Sequence, residues 1–129
     1  MTITLENIIP TFLEKEKIDS SGMWNNQVVI NKGEQIHIVA TSGRGKTSFM
    51  HFLYGLRNEY TGNIMLDAKK TQTMNALELA ETRRSVYSII FQDLRLFTAN
   101  TVFENINIKR LLNPYHGEER IREMASRLW

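Results

Sequence analysis

The order of apolar and polar residues divides the chain into short segments with the period of strands or of helices. Loosely alternating apolar residues predict strands at 2–8, 27–30 and 34–40, and a fourth short strand at Gly62–Leu66. A buried strand is predicted over 85–91, because this stretch is rich in β-branched and aromatic residues.

Helical spacing of apolar residues marks the remaining segments. One helix is predicted to begin near Lys46 and to stop at Gly55. Its apolar face has the spacing i, i+3, i+4, i+7 and consists of Phe49, Phe52, Leu53 and Leu56. Further helices are predicted over 73–84, 101–109 and 117–129. Their inward residues are expected to be Leu77 and Ala80, then Val102, Phe103 and Ile106, and finally Ile121, Met124, Ala125 and Leu128.

Composition limits the class of protein. The chain has 129 residues, of which 42% are hydrophobic, which is enough for one modest domain with a buried core. It has no cysteine, which excludes a disulfide scaffold and a thiolate metal site. The net charge is +2 with both signs interleaved, so no nucleic-acid partner is expected. No apolar run approaches the ~20 residues that span a bilayer, so any membrane segment is expected on another polypeptide.

The strongest motif lies between the strand predicted at 34–40 and the helix that follows it. The residues from Ala40 to Thr47 have the Walker A spacing of a phosphate-binding loop, with alanine in the first glycine position. Such loops surround a triphosphate with backbone N–H groups at the positive end of a helix. The residues expected to bind the nucleotide are Thr41, Ser42, Gly43, Arg44, Gly45, Lys46, Thr47 and Ser48.

Residues of this loop have distinct expected roles. The Lys46 ammonium is expected between the β- and γ-phosphates, and the Thr47 hydroxyl is the natural ligand of Mg²⁺. Gly43 and Gly45 are expected in left-handed conformations, which let the backbone approach the phosphates closely. Ala40 is compatible with such a loop if its φ is negative.

A second group of residues points to one family of nucleotide-binding proteins. The run 88–97, followed by 101–106, resembles the Q-loop region in the ATPase domains of ABC transporters. Further collinear matches are Gly33-Glu34, Gly55-Leu56, Thr61–Ile64 and Arg83-Arg84. The resemblance covers essentially the whole chain and is closest to ATPases of the lipoprotein-export and cell-division type.

The resemblance implies an α/β fold, with a P-loop NTPase core, an antiparallel β-subdomain and a chain that stops within the helical subdomain. It implies one partial nucleotide-binding domain over 1–129. The β-subdomain and P-loop core would occupy about 1–92, and the Q-loop and start of the helical subdomain about 93–129. Gln92 would be the Q-loop glutamine, which contacts Mg²⁺ and the attacking water. Lys46 and Gln92 would then be catalytic, Thr47 and Gln92 would bind the metal, and ATP and Mg²⁺ would be the cofactors.

The resemblance also implies partners. The chain would be the ATP-binding subunit of a transporter, cytoplasmic and peripheral to the inner face of the membrane. A membrane-spanning subunit would bind at the Q-loop region, and a second ATPase domain would complete a dimer. Four apolar side chains either contact the membrane subunit or pack in the core, namely Leu94, Leu96, Phe97 and Phe103.

Several motifs of the family do not occur in this sequence. It contains no serine-glycine-glycine signature, no apolar strand ending in the acidic pair of a Walker B motif, and no switch histidine beyond it. Asp67 and Asp93 each follow an apolar run, but they match a hairpin tip and the position after the Q-loop glutamine. The histidines, expected to be structural or solvated, are His37, His51 and His116. The 129 residues alone are therefore expected to bind nucleotide weakly and to hydrolyse it poorly or not at all.

The ring that stacks on adenine has no clear match in the sequence. Phe12 or Trp24 could take its place only with a shifted register. Two alternatives to a transport ATPase stay open at this point. One is a non-catalytic module that pairs with an intact ATPase. The other is an unrelated P-loop nucleotide kinase, whose second site would use Arg83, Arg84 and Arg95.

Overall fold

A computed structural model of the protein describes residues 1–93 and 95–128. The chain divides into two compact units, Met1–Ala80 and Glu81–Trp129. The functional division expected near residue 92 stays a prediction.

The first unit is built on a four-stranded antiparallel sheet with the order β2-β1-β3-β4. The central strand β1 pairs Leu5 with Val28 of β2 on one side and with Ile64 of β3 on the other. The strands confirm the predictions at 2–8, 27–30 and 62–66, and they are β1 (Thr2–Pro10), β2 (Gln27–Asn31), β3 (Tyr60–Leu66) and β4 (Lys69–Lys70).

Strand β1 contains an irregularity between Glu6 and Ile9, where its register with β3 shifts. Asn7 adopts a left-handed conformation with a φ of 50°, and its N–H donates to the carbonyl of Asn26 at 3.2 Å. Gly62 of β3 lies opposite with a φ of 90°. A β-bulge of this kind kinks a strand and increases its local twist.

Three helices have residues in the first unit, namely α1 (Lys15–Asp19), α2 (Lys46–Leu53) and α3 (Ala76–Ser85), and a 3₁₀ turn covers Thr71–Thr73. The predicted helix at Lys46 is confirmed, and so is its end. Gly55 has a φ of 68°, and the N–H of Leu56 donates to the carbonyl of His51 at 2.8 Å. Together with the bond from the Gly55 N–H to the Phe52 carbonyl, at 3.0 Å, this is a Schellman C-cap.

The core of the first unit lies between α2, the sheet and the chain segment before β2. Its buried residues are Leu5, Ile8, Trp24, Phe49, Phe52 and Ile64. The ring of Trp24 meets Phe49 and Phe52 edge-on, with centroids 6.0 and 6.3 Å apart. Such tilted aromatic contacts add to the stabilisation from apolar burial.

The strand predicted at 34–40 is wrong. This segment has no regular secondary structure, and Val39 is 81% exposed. A β-strand is defined by its hydrogen bonds to a neighbouring strand. No strand in the described ranges 1–93 and 95–128 pairs with residues 34–40.

The buried strand predicted at 85–91 is wrong for the same reason. Ser85 is the last residue of α3, residues 87–91 are irregular, and Ile90 is 96% exposed. Both segments are rich in apolar residues, but neither has a strand to pair with among the described residues.

The predicted inward residues of α3 are also wrong, since Leu77 is 81% exposed and Ala80 is exposed. The second unit contains α4 (Val102–Leu112) and α5 (Glu119–Ser126), which confirms both predicted helices. Of their predicted inward residues, Ile121 is buried and Phe103 half-buried, whereas the exposed ones are Val102, Ile106, Met124, Ala125 and Leu128.

Helix α4 begins with a capping box. The Thr101 hydroxyl accepts from the Glu104 N–H at 3.2 Å, and the Glu104 carboxylate accepts from the Thr101 N–H at 2.7 Å. None of the helices within 1–93 and 95–128 combines the length and the apolar character that a membrane crossing requires.

Candidate functional site: a phosphate-binding loop

The predicted phosphate loop forms an irregular turn that runs directly into helix α2. Gly43 and Gly45 have φ values of 75° and 89°, which confirms their predicted left-handed conformation, and Ala40 has a negative φ. The N–H of Phe49 donates to the Gly45 carbonyl at 2.8 Å and begins the helical ladder. The N–H groups before Phe49 have no helical partner, which is the general property of a helix N-terminus.

The Lys46 side chain folds back over its own loop. Its ammonium donates to the carbonyls of Ala40 and Thr41, the latter at 2.9 Å. These two bonds hold the residues that enter the loop next to the first residue of α2. The loop is therefore closed by its own lysine.

The loop presents one exposed side and one packed side. Thr41, Ser42, Gly43 and Thr47 are exposed. Ser48 is buried, and its hydroxyl accepts from the guanidinium of Arg57 at 3.4 Å. The Ser48 hydroxyl thus belongs to the packing of α2, whereas Thr47 is an exposed residue.

Trp24 supports the packed side of the loop. It is 2% exposed, and its indole N–H donates to the Arg44 carbonyl at 3.2 Å. A Cβ placed on Gly45 would lie only 3.0 Å from Cζ2 of the Trp24 ring. Sequence reasoning missed this contact because no spacing rule links the two positions.

Neither candidate for adenine stacking presents a free ring beside the loop. Trp24 is buried in the core, so the suggestion that its ring stacks on adenine is wrong. The ring of Phe12 lies 6.3 Å from that of Phe52, and the Arg57 guanidinium covers it at 4.8 Å.

Arg44 ties the loop to helix α1. Its guanidinium donates to the Ser20 hydroxyl at 2.7 Å, and that hydroxyl donates to the carbonyl of Glu16 at 2.7 Å. Arg44 was expected to bind the nucleotide, and its contact with Ser20 was not predicted from the sequence.

A cleft of about 500 Å³ lies beside the loop in the first unit. Its cationic side chains are Lys17, Arg44 and Lys46, and its apolar lining includes Val28 and Ile30 of β2. The lining thus combines cationic and apolar side chains, which suits an anionic ligand with an apolar part.

Gln92 lies in the second unit, in an exposed bend. Nearby, the guanidinium of Arg95 lies 4.0 Å from the centre of the Phe91 ring and 2.8 Å from the carboxylate of Asp93. The Asp93 carboxylate is therefore paired with a cation two residues further along the chain.

The apolar residues after Gln92 differ in exposure. Leu96 and Phe97 are exposed, and Phe103 is half-buried beneath the Arg122 guanidinium at 4.9 Å. Leu94 lies outside the described residues. Leu96 and Phe97 are therefore not core residues, whereas Phe103 is partly packed.

The other acidic and imidazole candidates lie in a turn, in irregular segments and in helix α2. Asp67 lies in the turn between β3 and β4, and its carboxylate accepts from the Thr2 N–H at 2.8 Å. His37 lines the cleft, and His51 lies in α2. Among the described residues, no group of three or more histidine, aspartate or glutamate side chains is placed to hold a metal ion.

Comparison with known proteins yields one family. The family model described as ABC transporter matches residues 24–129, which is most of the chain.

Similar curated proteins are ATP-binding components of transporters. The methionine import ATP-binding protein MetN 1 of Bacillus cereus is 33% identical over 104 residues, which are 81% of this chain and 30% of that protein. The macrolide export ATP-binding/permease protein MacB of Bartonella quintana is 30% identical over 129 residues, 98% of this chain and 19% of that protein. The glycine betaine/carnitine transport ATP-binding protein GbuA of Listeria monocytogenes is 30% identical over 118 residues, 92% of this chain and 30% of that protein. The chain thus spans less than a third of the length of these relatives.

Proposed function

This chain belongs to the ABC transporter family, and we propose that residues 40–48 bind a nucleoside triphosphate, ATP, by its phosphates. The observation that carries the proposal is the position of Lys46. Its ammonium is held over a loop with two left-handed glycines, at the N-terminus of α2. Membership of the family removes the unrelated nucleotide kinase as an alternative.

The chemistry of the loop matches a polyphosphate. Backbone N–H groups and the positive end of the α2 dipole favour negative charge at this point. An ammonium has three N–H donors, and two of those on Lys46 are directed to the carbonyls of Ala40 and Thr41. The third can donate to a phosphate oxygen without disturbing the closed loop.

Magnesium fits the oxygen donors at this site. Thr47 would supply one hydroxyl ligand, and the phosphates would supply others. Mg²⁺ is a hard cation that is usually bound by one or two protein ligands together with phosphate oxygens. Gln92 is proposed as a further ligand through its amide oxygen, on the strength of its sequence motif. When bound, Mg²⁺ would neutralise charge on the phosphates, while Lys46 would orient them.

The role of the whole protein is proposed from its relatives. We infer an ATP-binding subunit that lies at the cytoplasmic face of the membrane and binds a membrane-spanning subunit, with a second ATPase domain as its dimer partner. The exposed Leu96 and Phe97 support a contact of the second unit with an apolar partner surface. A non-catalytic module would bind ATP through the same loop but would act by pairing with an intact ATPase. Size-exclusion chromatography with such an ATPase tests this alternative, and monomeric behaviour of the chain would count against it.

The test of nucleotide binding compares two lysines in calorimetric titrations with ATP and Mg²⁺. Lys46→Ala is expected to weaken binding at least about tenfold, because a charge-assisted bond contributes about 1.5–3 kcal/mol. Lys32→Ala, at an exposed lysine in the turn after β2, serves as the matched control and is expected to bind like the unchanged protein. Equal affinity of the Lys46→Ala variant and the unchanged protein would refute the proposal.

A further inference from the structure

We propose that Trp24 is a positioning residue, whose indole directs a backbone N–H of the phosphate loop toward the bound phosphates. The inference rests on the proposed function of residues 40–48. It adds a residue that lies 16 positions before the loop and does not itself contact ligand in this assignment.

The argument begins with the peptide bond between Arg44 and Gly45. Its carbonyl accepts from the Trp24 indole N–H at 3.2 Å, and so it points toward the core. In a planar trans peptide, the carbonyl and the following N–H point in opposite directions. The Gly45 N–H is therefore turned away from the core, in a loop whose residues Thr41 and Gly43 are exposed.

The ring also fixes the distance between the loop and the core. A Cβ on Gly45 would lie 3.0 Å from Trp24 Cζ2 and 3.3 Å from Leu13 Cδ1, so the loop rests directly on these side chains. Gly45 satisfies both the close contact and the φ of 89°. The peptide bond between Arg44 and Gly45 is thus restrained both by the hydrogen bond from the Trp24 indole and by the packing of Gly45 on Trp24 and Leu13.

Trp24 itself is held in place from two directions. Its ring is fixed by edge-on contacts with Phe49 and Phe52, at 6.0 and 6.3 Å. Its backbone N–H donates to the Ser21 hydroxyl at 3.1 Å. Phe49 and Phe52 fill the same core, but a phenyl ring has no N–H with which to orient a carbonyl.

The experiment compares two buried residues of this core. Trp24→Phe keeps a ring but loses the indole N–H, and it is expected to weaken binding of ATP and of inorganic tripolyphosphate to the same extent, about five- to tenfold. Ile64→Val lowers stability at a buried residue of β3, and folded protein carrying it is expected to bind both ligands as the unchanged protein does. Circular dichroism at the titration temperature establishes the folded fraction of each variant.

Two outcomes would overturn the inference while leaving the proposed function intact. One is unchanged affinity of Trp24→Phe, and the other is an equal loss of affinity in Ile64→Val. If the unchanged protein does not bind ATP at all, the proposed function itself fails.

A spectroscopic measurement keeps the test decisive if Trp24→Phe does not fold. The sequence has two tryptophans, so Trp129→Phe leaves Trp24 as the one indole. Saturation with ATP is expected to shift its emission, since its N–H bonds to the loop, and Lys46→Ala is expected to abolish the shift at the same ATP concentration. An emission unchanged while calorimetry records ATP binding would contradict the positioning role.

Discussion

Gly62 lies directly against the backbone of Asn7, and a Cβ placed on Gly62 would lie 2.4 Å from the Asn7 carbonyl oxygen. The contact occurs at the bulge of β1, where the two central strands of the sheet approach each other. No side chain larger than hydrogen fits there without movement of the backbone. The twist of the central strand pair therefore depends on this one glycine.

Gly62→Ala is expected to destabilise the first unit strongly, because it adds both a steric clash and an unfavourable φ. Gly33→Ala is the matched control, since Gly33 has nearly the same φ, 89° against 90°, with no atom within 4 Å of its Cβ position. The control is expected to cost about 1 kcal/mol from backbone strain alone, and Gly62→Ala about 1–3 kcal/mol more. Urea unfolding measures both, and equal losses would show that the bulge accommodates a methyl group.

Thr101→Ala is expected to reduce the stability of helix α4 by about 1 kcal/mol, because it removes the acceptor for the Glu104 N–H. Thr101→Ser retains the hydroxyl and should retain most of the stability. Hydrogen exchange of the first-turn amides of α4 is the direct measurement. Exchange that is equally slow in the Ala and Ser variants would exclude a contribution of the capping box.

Helix α4 is expected to weaken in acid through Glu104. Its hydrogen bond from the Thr101 N–H lowers the pKa of this carboxyl. Because the pKa is lower in the folded state, ionised Glu104 stabilises the folded protein at pH values above the unfolded pKa, which is ~4.3 for glutamate. This stabilisation is lost as the pH falls through the folded pKa. Glu104→Gln should remove this part of the acid sensitivity in urea titrations between pH 7 and 3, and an unchanged pH profile would contradict the assignment.

The second unit is expected to lose stability in alkali through Tyr87, because burial raises the pKa of its phenol from 10.0 to about 12. A raised folded pKa gives a contribution that is complete below pH 10 and disappears as the pH rises toward 12. Burial also raises the pKa of Tyr60 in the first unit, so Tyr60 contributes to the alkaline loss of stability as well. The part due to Tyr87 is the difference between the unchanged protein and a Tyr87→Phe variant. Tyr87→Phe should flatten the profile of unfolding free energy against pH in this window, and a Tyr87→Phe profile as steep as that of the unchanged protein would count against the assignment.

The parts of the fold that were predicted from sequence are those set by local rules. The apolar spacing of Phe49 and Phe52 specified the buried face of α2, and Gly55 specified its end. The left-handed loop glycines followed from the motif itself. Each of these predictions needs only residues within a few positions of one another.

The predictions that failed depend on partners distant in sequence. The β-branched residues around Ile90 predicted a strand, but a strand also requires a hydrogen-bonded neighbour, which no pattern within 85–91 can supply. The support of the loop by Trp24 was missed for a related reason. The indole and the Arg44 carbonyl are brought together by the packing of the core, and the sequence between them carries no sign of it.

The sheet of the first unit ends in strand β4, which has only two residues, and both are exposed lysines. Lys69 forms an ion pair with Glu78, and the exposed Lys70 adds a further positive charge to this strand. A short, charged edge is a poor template for the strand of another molecule, because pairing would place like charges side by side. Lys69 and Lys70 therefore disfavour the addition of a further strand at the end of the sheet where β4 pairs with Met65 and Leu66.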